Sequence, residues 1–255
     1  MACTLDRRVA YHAADNSKGS QLVADEDLQR IVIAVDGTAG SGKSTTSRAV
    51  ALRLGLRYLD SGAMYRAMAW QMILDGIDPD DSTAVATRAA TVDVESGTDP
   101  AAPTIRLFGV DVSNEIRSAE ATRAVSPVSA VPRVREILIA QQRAIIGDGG
   151  IVVEGRDIGT VVAPGASLKV YLVADPAARA ARRTAELSAE QARDVAVVQA
   201  DLLRRDTADS TRLASPLSAA DDAVVIDSTD LSLDEVVVGV VGLAQERLAR
   251  GRSDA

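Results

Sequence analysis

The sequence predicts an α/β fold built on a doubly wound, five-stranded parallel sheet, and three observations predict it. The first is "IVIAVDG" (Ile31–Gly37), a short continuous apolar run rich in β-branched residues, which reads as a strand buried on both faces. The second is that further runs of this kind, at Ile151–Glu154, Leu168–Val173 and Ala223–Asp227, alternate with helical segments. The third is the glycine-rich turn and helix that directly follow the first run. In such folds ligands bind at the carboxyl ends of the strands.

Taken in order, residues 1–29 mix charge, Ser, Asn and Gly without periodicity and are expected to be a flexible tail. After the first strand and its turn, "STTSRAVALRLG" has helical period and closes on Gly55. "LRYLDSG" reads as a second short strand. Met64, Met68, Trp70 and Met72 follow at helical spacing and are assigned to core packing. The stretch from about Gly62 to Gly150 is too long to be a loop and reads as an inserted subdomain. Within it, Thr91–Val112 suggests short antiparallel strands around "SGTDPAAP", and "PRVRE" (Pro132–Glu136) starts a helix. Ala178–Arg212 is polar, helical and rich in arginine. The last helix opens on Ser232 with Glu235 three residues on, a capping box, and continues through Val236, Val237, Val240 and Val241. The expected division is therefore a core of residues 30–61, 146–177 and 213–255, an insertion at 62–145 and an arginine-rich segment at 178–212.

Composition narrows the chemistry. The 255 residues include 36 acidic against 28 basic side chains, a formal charge of −8, which argues against coating a nucleic-acid polymer. One cysteine (Cys3) and one histidine (His12), both near the N-terminus, exclude a disulfide framework and disfavour a zinc site or histidine base catalysis. Neither is assigned a role. Of the 28 basic residues only Lys18, Lys43 and Lys169 are lysines, so positive charge is carried mainly by arginine. Coding bias, since alanine is also abundant, explains that ratio better than function does. No apolar run reaches the ~20 residues of a membrane span, and no secretory signal is evident. A cytoplasmic protein without membrane partners is expected.

The strongest motif is "GTAGSGKST", which satisfies G-x-x-x-x-G-K-[ST]. Small residues let the backbone N–H groups of Gly37, Thr38, Ala39, Gly40, Ser41, Gly42, Lys43, Ser44 and Thr45 wrap phosphate oxygens, and the following helix presents its N-terminus. Lys43 would bridge β- and γ-phosphates, and the Ser44 hydroxyl would ligate Mg²⁺. The core is thus of the P-loop NTPase type, with ATP expected. Asp36, just before the cradle, either holds water or supports the cradle, or is equally a turn residue before glycine. No Asn-Lys pair exists to read guanine, which disfavours a regulatory GTPase.

Beyond the cradle lie "DSGAMYR" (Asp60–Arg66), "VSNEIR" (Val112–Arg117), "PRVRE", "EGRDIGTVV" (Glu154–Val162), "RRDTADSTR" (Arg204–Arg212) and "DST" (Asp227–Thr229). In this order and spacing the set resembles bacterial cytidylate kinase, a nucleoside monophosphate kinase, from about Ile31 to the last helix. The resemblance implies a parallel core, a monophosphate-binding insertion and an arginine-rich lid. It implies an acceptor nucleotide bound by Ser61, Tyr65, Arg66, Ser113, Arg156, Asp157, Arg205, Asp209 and Arg212. Arg179, Arg182 and Arg183, with Lys43 and Arg156, would stand near the transferring phosphates, and the "DST" loop near the donor adenine. Thr38, Asn114 and Ala163 depart from common family residues.

The residue types suit that chemistry. The acceptor is a phosphate oxygen already ionised at neutral pH, so a strong general base is not required. The demand is to bring two polyanions together, which Mg²⁺, Lys43 and guanidinium groups meet by offsetting repulsion. Arginine meets phosphate bidentately and keeps its proton when desolvated. The pairs Arg182/Arg183 and Arg204/Arg205 fit solvated helix faces equally well; Arg156 has the firmer basis, following a buried strand. The expected reaction is transfer from ATP to CMP or dCMP, in pyrimidine metabolism, by a monomer. UMP, dTMP, AMP or shikimate as acceptor, and a nucleotide-dependent switch, are the alternatives.

Overall fold

The computed structural model describes residues 25–185, 194–212 and 214–253. The expectations for Cys3, His12, Lys18 and most of the N-terminal tail fall outside them. The end of that tail is a short helix, α1 (Asp25–Leu28), with Leu28 packed against the core.

The chain then forms β1 (Val32–Gly37) and α2 (Lys43–Leu54), which Gly55 ends in the left-handed region at φ 66°. Next comes β2 (Arg57–Asp60), shorter than its sequence run. Asp60 turns its carboxylate onto the Ala63 N–H at 2.9 Å and caps α3 (Ser61–Leu74), so Ser61 and Gly62 open a helix instead of extending the strand. Met64, Met68 and Met72 on α3 are fully buried, and Trp70 is partly buried against them.

The insertion continues with α4 (Ser82–Ala89), capped by Asp81, and a small antiparallel sheet of β3 (Val94–Ser96), β4 (Ile105–Leu107) and β5 (Val110–Asp111). The loop between β3 and β4 reaches back to the core. Arg48 of α2 donates to the Pro100 carbonyl at 3.0 Å, and the Tyr58 N–H of β2 donates to Thr98 at 2.9 Å. A 3₁₀ turn (Glu115–Arg117), α5 (Ala119–Ala130) and α6 (Pro132–Ile146) lead to β6 (Ile151–Glu154). A π-helical turn (Ile158–Val162) and β7 (Leu168–Val173) follow. The arginine-rich segment supplies α7 (Pro176–Ala185) and α8 (Val195–Thr211). Finally β8 (Val224–Asp227) leads into α9 (Leu233–Ser253), where Ser232 and Glu235 make the reciprocal bonds of a capping box.

The main sheet is parallel throughout, in the order β2-β6-β1-β7-β8. On β1, Ile33 stands opposite Val152 of β6 and Leu168 of β7. The period-two alternation divides the strands between two cores. Ile33, Val35, Val152, Val170 and Leu172 pack toward α2 and α9, while Ala34, Leu59, Ile151 and Val153 pack toward α3, α5 and α6. Apolar residues on both faces explain why the strand runs read as continuous instead of alternating. The chain places its strands on one side of β1 first and then crosses to the other. The loop after β1 therefore stands where the strand order reverses, the usual place for a ligand.

Candidate functional site

The cradle is shaped by close backbone approach. A Cβ on Gly37, whose φ is 147°, would lie 2.0 Å from the Leu172 carbonyl oxygen on the neighbouring strand, so only glycine fits. Gly42 caps α2 at φ 87° and no side chain satisfies the helix N-terminus, which leaves those N–H groups for an anion. Lys43 is buried and curls over the loop, donating to the Thr38 carbonyl at 2.6 Å. Burial, and then the charge of Arg156, pull the Lys43 ammonium down to about 7, against the attraction of Glu154, Asp206 and Asp36.

Two carboxylates stand beneath the cradle. Glu154, at the end of β6, accepts the Ser44 hydroxyl at 3.0 Å on one oxygen and the Tyr58 hydroxyl on the other. Burial, then Asp60, push it up to about 7. Asp36 is buried and accepts the N–H groups of Ile158 at 2.8 Å and Gly159 at 2.7 Å. Burial raises it to about 6 despite those two bonds. It therefore ties the π-helical turn after β6 to the end of β1, and these bonds go to that turn instead of to the cradle.

A cleft of about 1010 Å³ runs from the cradle past the insertion to α7 and α8. Lys43, Arg66, Arg156, Arg183 and Arg205 line it, while its described carboxylates are Asp60 and Glu154. Burial first, and crowding of like charge after it, weaken the hold of Arg66 and Arg205 on their protons. Burial, then Arg205, pull Arg66 down to about 9; burial, then Arg156, pull Arg205 down to about 10. The guanidiniums stay protonated at neutral pH, and the shifts record repulsion that a bound polyanion would relieve. Arg156 goes the other way: burial lowers it, but Asp209, bound at 2.9 Å, and Asp206 together leave it raised.

Beside the cleft a smaller cavity of about 80 Å³ gathers Ser61, Tyr65, Arg66, Arg156, Asp157, Arg205, Asp209 and Arg212. These residues come from α3, the loop after β6, and α8 with its C-terminus. Ser61 donates to the Glu154 carbonyl at 2.7 Å, and Arg66 to the Ile116 carbonyl at 3.1 Å and Thr122 at 3.0 Å. Asp157 is buried in an ion pair with Arg135, and Arg212 approaches its second oxygen at 3.7 Å.

Not every expected residue joins these walls in the expected way. Ser113 lines the large cleft but not the smaller cavity, and its hydroxyl accepts the Ile105 N–H at 3.3 Å, tying down the insertion's sheet. The hydroxyl residues of the smaller cavity besides Ser61 and Tyr65 are Ser126 and Ser129 of α5. The three arginines of α7 separate. Arg179 is buried behind the cradle, bound to the Ala39 carbonyl and to Asp206. Arg182 donates to the Ser228 carbonyl at 2.6 Å and to Thr229 at 3.2 Å, so it joins α7 to the "DST" loop. Arg182 and Arg183 both line the cleft. Helical geometry turns adjacent residues about 100° apart, which one arginine-rich string does not display.

Sequence reading passed over Glu154, Tyr58, Ser126, Arg135 and Asp206. Arg135 had a detectable signal. It lies in helical register with Val131, Leu138 and Gln142, all buried, and a charge on an apolar stripe needs a partner. That partner is Asp157, and the Arg135 guanidinium also lies 5.2 Å over the Tyr65 ring.

With the geometry established, comparison with known proteins adds the following. The family model described as cytidylate kinase matches residues 33–246. The chain is 52% identical over 228 residues to a cytidylate kinase of Streptomyces avermitilis, covering 89% of this chain and 97% of that one. It is 48% identical over 225 residues to a cytidylate kinase of Rhodococcus jostii, covering 88% and 98%. Among solved structures, a gluconokinase from Sinorhizobium meliloti 1021 aligns with a TM-score of 0.42 and 17% identity, over 89% of this chain and 95% of that one.

Proposed function

The chain belongs to the cytidylate kinase family, and from that premise we propose that it transfers the γ-phosphoryl group of ATP to CMP or dCMP, giving ADP and CDP or dCDP. One observation carries the reading: a cavity of arginines and carboxylates lies beside the cleft that holds the phosphate cradle and shares Arg66, Arg156 and Arg205 with it, so that an acceptor and a donor would sit side by side. The cradle's N–H groups and Lys43 hold the donor phosphates, except the Ala39 N–H, which is expected among them from the motif but donates to Asp206 instead. Arg66, Arg156 and Arg205 hold the acceptor phosphate, and Arg183 faces the space between. An acceptor phosphate oxygen attacks the γ-phosphorus as the bond to the β-bridging oxygen breaks, and that oxygen leaves with ADP. The attacking oxygen is already ionised, so no side chain takes a proton from it. Lys43 becomes fully charged when the phosphates arrive, because their charge reverses the effect of burial and of Arg156.

The acceptor base is read by the buried polar set of Asp157, Arg135, Arg212, Asp209 and the serines of α5. Donors and acceptors of both kinds are present, which a base with an exocyclic amine and a carbonyl requires. Arg182, joined to the "DST" loop, stands at the end of the cleft where the donor base lies. Residues 62–145 act as the acceptor-binding insertion and 178–212 as the lid, which excludes water when closed.

The oxygen donors at the cradle fit Mg²⁺. The Ser44 hydroxyl lies 3.0 Å from a Glu154 carboxylate oxygen, a hard donor pair suited to an ion that takes one or two protein ligands and completes its shell with water and phosphate oxygens. Ser44 and Glu154 would hold the ion, which would offset negative charge on the donor phosphates. We propose a monomer, since both seats are built within one chain, and a cytoplasmic setting, which a single cysteine suits. Among the described residues no helix is long and apolar enough to cross a membrane.

The test is a panel of acceptors, CMP, dCMP, UMP, dTMP, AMP and shikimate, with Mg-ATP and a coupled readout of ADP. CMP and dCMP are expected to give the highest kcat/KM. Turnover of another acceptor with none of CMP would overturn the assignment.

A further inference from the structure

The face of α8 turned toward the cradle carries Val198, Leu202, Asp206 and Asp209, in the spacing of a single helical stripe. Val198 and Leu202 close a small apolar cluster with Ala39 of the cradle and Ala180 of α7. Asp209 binds Arg156. Between these contacts, Asp206 accepts the Ala39 N–H at 2.8 Å on one oxygen and an Arg179 guanidinium N–H on the other. Arg179 in turn donates to the Ala39 carbonyl at 2.8 Å. Both polar backbone atoms of one cradle residue are therefore held by the α7–α8 pair.

Apolar contact is non-directional, and a cluster that includes two alanines would hold α8 near the cradle without fixing it along its axis. A carboxylate shared by a backbone N–H and a guanidinium is directional. Its neighbours on α8 are Arg205 and Asp209, both of which line the smaller cavity. Resting on the proposed kinase reading, we infer that Asp206 is a positioning residue that sets the register of α8 against the phosphate cradle. It thereby fixes the separation between the donor seat and the acceptor cations. In-line transfer is sensitive to that separation, since a misplacement of about 1 Å can cost on the order of 10²-fold in rate.

The test compares Asp206→Ala, Asp206→Asn and Val198→Ala with the unmodified protein, recording kcat, both KM values and Tm. Asp206→Ala is expected to lower kcat on the order of 10²-fold while KM for ATP and CMP stays within about threefold. Asp206→Asn keeps an oxygen for the Ala39 N–H and is expected to recover about tenfold of that loss. Val198→Ala loosens the apolar part of the same contact and is expected to lower Tm with kcat kept within about twofold. A kcat in Asp206→Ala close to that of the unmodified protein overturns the inference. So does a Val198→Ala variant that loses as much kcat as Asp206→Ala, because the contact would then be simple packing. Failure of the unmodified protein to phosphorylate CMP overturns the kinase reading instead, and is seen before any variant is made.

Discussion

The phosphate cradle, the proposed donor seat, is a run of consecutive residues, Gly37 to Thr45, whose binding groups are mostly backbone N–H. The smaller cavity, the proposed acceptor seat, is assembled from side chains on α3, α5, α6, the loop after β6, and α8. In the cradle, glycine geometry and a helix N-terminus orient the donors, and few side chains matter individually. In the cavity several charges are held by another: Arg135 by Asp157, Arg156 by Asp209, and Arg212 near both carboxylates. Removing one member of such a pair leaves its partner buried and unpaired, which costs more than the pair contributes. The cradle is therefore sensitive at a few atoms, while the cavity is sensitive across a network.

The largest effect should fall on the one cradle side chain that carries charge. Lys43→Met is expected to lower kcat with CMP by on the order of 10³-fold or more, with the circular-dichroism spectrum and Tm of the fold retained. Turnover near the original level would dissolve the contrast, since the cradle would then function by backbone alone.

Arg135→Leu probes the network. It strands the Asp157 carboxylate and is expected to cost about 3–5 kcal/mol of stability in urea denaturation. Adding Asp157→Leu should restore much of that stability without restoring activity on CMP. A single variant as stable as the parent would mean that the pair is not held as a buried unit.

A pH series distinguishes the carboxylate under the cradle. Glu154 is raised by burial, then by Asp60, from 4.5 to about 7. A raised acid contributes stability that is full below its unfolded value and lost as pH rises through the folded one. Tm of the nucleotide-free protein is therefore expected to fall between pH 4.5 and 7 more steeply than in Glu154→Gln. Asp36, raised by burial to about 6, keeps part of the slope in both proteins. Equal slopes would remove Glu154 as the cause. Lys43, depressed to about 7, has the opposite sign: its contribution is present above 10.5 and lost as pH falls toward 7.

The smallest effect belongs to the scaffold that carries neither seat. Asp81→Ala removes the acceptor for the Thr83 and Ala84 N–H groups at the start of α4 and is expected to cost about 1 kcal/mol with kcat unchanged. A larger loss of activity than of stability would show that α4 moves with the acceptor.

The same contrast governs what could be read in advance. The five parallel strands, the antiparallel insert, the helix entered at Pro132 and the capping box at Ser232 were all legible, because each leaves a local pattern of period, turn or cap. The strand run "LRYLDSG" extends two residues beyond β2, because Asp60, the last residue of the strand, also caps the next helix and draws Ser61 and Gly62 into it. Within the site, motif and family resemblance together picked out Ser61, Tyr65, Arg66, Arg156, Asp157, Arg205, Asp209 and Arg212, which the fold brings around one cavity. Ser113 was assigned to the same group, yet its hydroxyl serves the Ile105 N–H. Nothing in "VSNEIR" tells which way that hydroxyl turns.

From the sequence alone, the parallel core, the phosphate cradle and the shortage of groups for histidine or thiol chemistry could be determined, because these depend on residues adjacent in the chain. Only the tertiary structure decided which arginine pairs with which carboxylate. It placed Arg179 behind the cradle and Arg182 and Arg183 along the cleft, with Arg182 bound to the "DST" loop. It also brought Glu154 beneath Ser44 and Asp206 onto Ala39, across 110 and 167 residues of chain. The physical reason is that a charge finds its partner through space, and the burial that decides its cost is set by elements that local pattern does not order.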